Sequence, residues 1–109
     1  MRSSEEAPPI DISPGRSLVV EFGAFSVRLD LLSSSVLHLQ VIEGDDAGFE
    51  DEVDYELYWP RSDLAVLSWQ ERIGTTVTHI IDLAASRTYA TVAPAKGGFF
   101  RLEGCLMQV

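Results

Sequence analysis

The chain has 109 residues, enough for one compact domain and too few for two, and 46% of them are hydrophobic, which argues against a largely disordered polypeptide. Its formal net charge is −9, and eight of its 17 acidic residues lie between positions 43 and 56, a stretch without Lys or Arg, while the remainder is close to neutral. This balance repels a phosphate backbone and supplies no basic stripe, and no apolar run approaches the roughly 20 residues that span a bilayer, so neither nucleic acid nor membrane is expected as a partner.

Residues 1–15, "MRSSEEAPPIDISPG", combine prolines and charges without an apolar segment. They are expected to form a flexible tail ahead of a single domain over 16–109, with no secretory signal and a cytoplasmic location as the consequence. From there the pattern is period two, and no helical period persists. "SLVVEFG" and "FSVRLDLL" are separated only by Gly23 and Ala24, which predicts a tight hairpin. In the second run Phe25, Val27, Leu29 and Leu31 share one face and Ser26, Arg28 and Asp30 the other, the mark of a half-buried strand.

"SSSVLHLQVIE" places Leu37, Leu39 and Val41 inward and His38 toward solvent. The acidic stretch "EGDDAGFEDEVDYE" lacks the alternating oxygen ligands of a calcium loop and reads as a solvated connection. "VDYELYWP" puts Val53, Tyr55, Leu57 and Trp59 on one face before Pro60. "LAVLSWQE" is ambiguous in parity. Burying the Trp69 indole gains more than burying Leu64 and Val66, so Ala65, Leu67, Trp69 and Glu71 are expected inward, and Leu64, Val66 and Ile80 outward as a surface for a possible homodimer.

After the turn at "RIG", "TTVTHIID" turns Val77, His79 and Ile81 to the interior. "SRTYATVA" and "GFFRLEGCLMQV" complete the set, the last with Phe100, Leu102, Gly104 and Leu106 on one face. The lone Cys105 excludes an internal disulfide and reads as a small residue of the final strand. Eight short strands joined by short turns predict an all-β antiparallel meander. Closing it into an up-and-down barrel removes exposed edges and encloses space for side chains or one small ligand.

The series "VIEGDDAGFEDEVDYE", "LSWQERIGTTVTHIID", "SRTYATV" and "GGFFRLEGCL" resembles the MoaF-like family. The resemblance implies a lipocalin-like, or calycin, eight-stranded barrel and leaves the activity open. "WQERIGTT" has a more distant likeness to the phenolic acid decarboxylases. That likeness would imply an interior Glu working with tyrosines and an Arg on a small aromatic acid, although no inward Arg is visible in this chain.

The expected inward residues Tyr55, Trp59, Trp69, Glu71, His79 and Tyr89 have the composition of a small-molecule site, apolar and aromatic with a few polar groups. The same aromatics would also fill the core of any small barrel. Glu71 is the most informative of them, because a carboxylate in an apolar interior must be paired, protonated or close to water. It lies immediately before a turn, on the hairpin that carries His79, so the two are a candidate acid–base or ligand-orienting pair. No G-x-S-x-G elbow, P-loop, dinucleotide fingerprint or metal-ligand spacing occurs, so no cofactor is expected. The chain therefore reads as a barrel binding a small apolar or aromatic ligand, with acid–base catalysis on a small aromatic or carboxylic acid and a homodimeric interaction module as alternatives.

Overall fold

A computed structural model of the protein describes residues 10–109, so most of the expected tail lies outside the described residues. Eight strands follow one another: β1 (Ser17–Glu21), β2 (Ser26–Leu31), β3 (Val36–Glu43), β4 (Glu50–Arg61), β5 (Leu64–Gln70), β6 (Thr76–Asp82), β7 (Arg87–Ala93) and β8 (Phe100–Gln108). Each pairs antiparallel with its neighbour in the chain, and β1 pairs with β8 through Leu18↔Gln108 to Glu21↔Cys105, closing an up-and-down barrel. Among the described residues there is no helix, and hence none long and apolar enough to cross a membrane.

Alternation decides which side chains are inside. Leu18 and Val20, Leu29 and Leu31, Leu37 and Leu39, Ala65 and Leu67, and Val77 and Ile81 are buried at every second position of their strands. Leu64, Val66 and Ile80 lie on the opposite face, as expected. The β1–β2 hairpin is the predicted one: Gly23 takes φ +95°, and Phe22 N donates to Phe25 O at 2.9 Å. Ser26 departs from the expected pattern. It is buried beside a register shift between Ser26 and Val27, and its hydroxyl donates to Glu43 Oε1 at 2.9 Å. His38 stays on the outer face, 2.8 Å from Glu50 and 3.6 Å from Asp30.

The two ends of the barrel differ. At one end Ile10–Arg16 runs beneath the strands, with Ile12 buried in the core, Asp11 N donating to Gln108 Oε1 at 2.7 Å, and Gly15 N donating to Leu31 O at 2.7 Å. The described part of the expected tail is thus packed against the barrel, because Ile12 has apolar surface to bury there. The opposite end is formed by four connections, residues 22–25, 44–49, 71–75 and 94–99, and carries no such plug among the described residues.

Candidate functional site

A cavity of about 450 Å³ opens between these four connections. Its walls come from the upper inward positions, among them Val20, Leu29, Leu39, Val77 and Ala90, whereas Leu18, Leu31, Leu37 and Ile81 fill the end closed by Ile12 and do not reach it. The barrel is therefore packed solid over half its length and hollow over the other half.

Four polar side chains of β5, its turn and β6 line the hollow end, those of Trp69, Glu71, Thr75 and His79. Trp69 is buried, and its Nε1 donates to Glu71 Oε2 at 3.2 Å. Glu71 starts the β5–β6 turn, fixed by Glu71 N donating to Thr75 O at 2.7 Å and Gly74 N donating to Glu71 O at 2.8 Å. Desolvation by the apolar wall raises its carboxyl above the ordinary value; the Trp69 N–H opposes this and the nearby Asp51 charge adds to it. Glu71 Oε1 has no protein hydrogen-bond partner among the described residues.

His79 is buried with its ring stacked on Trp69, centroids 5.3 Å apart, and Phe22 lies 6.2 Å away. Its Nδ1 is 2.8 Å from Thr88 Oγ1, and the Thr88 hydroxyl donates a longer bond, 3.4 Å, to Ile80 O. With the hydroxyl proton directed to Ile80, the hydrogen-bond network assigns the proton of the neutral imidazole to Nδ1. Burial pushes the imidazole down to about 4, so it is neutral near pH 7. No hydrogen bond among the described residues joins Glu71 to His79, so the pair expected from the hairpin is two separate groups on one wall.

The other expected residues lie elsewhere. Tyr55 is inward and buried, but its hydroxyl donates to Ser33 O at 2.6 Å, at the plugged end. Trp59, expected inward, is 46% exposed. It keeps the inner parity of β4, but the register shifts between Tyr58 and Arg61 and the strand overshoots the barrel, so the indole borders a groove with Ile10 and Leu83 outside the closed end. Tyr89, also expected inward, lies outside, because its neighbours Thr88 and Ala90 take the inner positions of β7.

Several wall residues were not anticipated. Phe22 and Phe49 come from connections, where no period exists to reveal direction, whereas Phe25, just before β2, and Phe100, at the start of β8, lie on the apolar faces expected for them. Phe22 enters because Gly104 of β8 has no side chain: a Cβ there would lie 2.8 Å from Glu21 O and 2.9 Å from the Phe22 ring. Asp51, inside the acidic stretch, is buried and accepts bonds from Arg72 N at 2.9 Å and Arg72 Nη2 at 3.0 Å, tying β4 to the turn that presents Glu71.

Fold and site together define a small antiparallel β-barrel, plugged at one end and hollow at the other. The chain matches the MoaF-like family across residues 14–107 and belongs to that family. It is similar to a crystal structure from Burkholderia vietnamiensis, provisionally described as a beta-lactamase, with a TM-score of 0.84 and 25% identity over 94% of this chain and 100% of that one. No match was found among curated proteins.

Proposed function

We propose that the protein binds a small molecule with an aromatic or branched apolar body inside the barrel, with Glu71 fixing its orientation and Trp69 and His79 forming one wall. The observation that carries this reading is the 450 Å³ cavity with a half-buried carboxylate in an otherwise mostly apolar lining. Leu, Val and Phe side chains would exclude water from the body of such a ligand, and one polar group would set its direction. The lone cysteine is in keeping with a cytoplasmic setting.

Catalysis has less support. The description given to the Burkholderia protein is not carried over, since among the described residues neither Ser nor Lys lines the cavity. The interior Glu, tyrosines and Arg implied by the decarboxylase likeness are not assembled either, because the lining contains no Tyr or Arg.

The test is thermal melting, together with tryptophan fluorescence in a Trp59→Phe background that leaves Trp69 as the one emitter, against aromatic acids, amines, pterins and fatty acids. It is repeated in Ala90→Leu, which places extra volume in the cavity without touching Glu71. A ligand at 100 times its dissociation constant should add roughly 2.7 kcal/mol to stability, and the effect should disappear in Ala90→Leu. A ligand that stabilises both proteins equally would place binding outside the barrel.

Self-association is a second reading, favoured by one observation. Tyr58, Val66, Ile80 and Tyr89 are consecutive cross-strand partners and form an apolar row on the outer face of β4 to β7. Light scattering at micromolar concentration tests it: a dimer that Ile80→Lys dissociates is expected, and a monomeric native chain refutes it.

A further inference from the structure

The lining also bears on the charge of the occupant. Its ionisable side chains are Asp46, Glu71 and His79, and the burial that keeps the imidazole neutral leaves the cavity with two acids and no cation. Basic residues do occur at the same end, but they do not line the space. Arg72 is held by Asp51, Arg101 lies 5.5 Å over the Phe99 ring, and Lys96 belongs to the 94–99 connection. The 44–49 connection at the open end adds Asp45, with Glu43 and the His38-bonded Glu50 at its two ends, a field that concentrates cations and disfavours anions.

Hydrogen-bonding capacity points the same way. The Trp69 N–H is already used on Glu71, whereas Glu71 Oε1 and the second His79 nitrogen have no partner among the described residues. Apart from the Thr75 hydroxyl, which can donate or accept, the site thus offers acceptors and asks for donors. Phe22, Phe25, Phe49 and Phe100 present ring surfaces that attract a positive charge and gain nothing from a negative one. A carboxylate ligand would place like charges together at an apolar wall, and a neutral one would leave Glu71 desolvated and unpaired.

We infer that the cavity is selective for an organic cation, a protonated amine on an aromatic or branched apolar body, with its ammonium against the free oxygen of Glu71. This rests on the reading of the cavity as a binding site, and the two are separable by experiment. The probes are naphthylmethylamine, naphthylmethanol and naphthoate, similar in body and different in charge, titrated calorimetrically near pH 7 into the native protein and into Glu71→Gln.

The amine should bind about tenfold or more tighter than the alcohol, as expected for a charge-assisted hydrogen bond, and naphthoate should be the weakest. Glu71→Gln should remove the amine's advantage, bringing amine and alcohol to similar affinities in that variant. The alcohol or naphthoate binding as well as the amine would overturn the charge selectivity and leave the binding site standing. An amine preference that persists in Glu71→Gln would overturn the role of Glu71. Absence of binding by all three probes up to millimolar concentration would count against the cavity reading itself.

Discussion

Replacing His79 with asparagine should flatten the acid side of the stability profile. An unperturbed histidine titrates near 6.5, and burial brings His79 down to about 4. Between these values the unfolded chain binds a proton that the folded chain refuses, so the stability present above 6.5 is lost as the pH falls toward 4. A separation of about two and a half pH units at ~1.4 kcal/mol each amounts to about 3–4 kcal/mol. Most of it is expressed between about pH 7.5 and about pH 4.5, so the native protein should lose about 2–3 kcal/mol more than His79→Asn over that interval.

Urea unfolding followed by tryptophan fluorescence at the two pH values measures the difference directly. Asparagine retains a polar group for Thr88 and does not titrate. His38, whose pKa is raised chiefly by its bond to Glu50, acts in the opposite sense: its contribution is present at low pH and lost as the pH rises. It is common to both proteins and cancels in the comparison, as do the carboxylates of the unfolded chain. Equal losses in the two proteins would show that His79 is not a neutral buried imidazole and would undo the account of that wall.

Glu71→Gln should stabilise the fold near pH 7 and do little near pH 4, because a carboxyl raised by desolvation favours the folded state only while protonated and penalises it as the pH rises through its folded value. The Tm at neutral pH should therefore rise, and a loss there would refute the assignment. Gly104→Ala should cost about 1–3 kcal/mol in urea unfolding, since its Cβ would press on Glu21 O and the Phe22 ring, and unchanged stability would show that β1 can move aside. Asp51→Ala should cost about 1–3 kcal/mol and speed hydrogen exchange at the Arg72 amide, because it removes the acceptor of both Arg72 bonds; unaltered exchange would count against the clamp.

The barrel was legible because alternation survives wherever a strand has one wet face: Leu37 and Leu39 against His38 and Gln40, or Val77, His79 and Ile81 against Thr78 and Ile80. The direction of the Trp69 strand followed from weighing an indole against Leu64 and Val66, and the structure has Trp69 inside. Parity alone failed at Trp59, because it predicts a face and not whether the barrel still exists at that height. At Tyr89 the small Thr88 and Ala90 take the inner positions of β7, and an aromatic among small residues does not by itself mark the inner face. The contributions of Phe22 and Phe49 could not be read, since side chains in connections take direction from tertiary packing, and the partnership of His79 with Thr88 depends on the register of β6 against β7. Asp51 was hidden among acids that it resembles in sequence and differs from in burial.

The plug formed by Ile12 has a kinetic consequence. With one end sealed, a molecule bound as proposed would leave by the passage through which it arrived, between the four connections of the open end, so capture and release would cross the same barrier. A change in the width of that passage that left the cavity lining intact would change both rates in proportion and leave the equilibrium untouched, whereas a change at the Glu71 wall would act mainly on the rate of escape. On the proposed reading, the passage sets how quickly equilibrium is reached and the Glu71 wall sets where it lies.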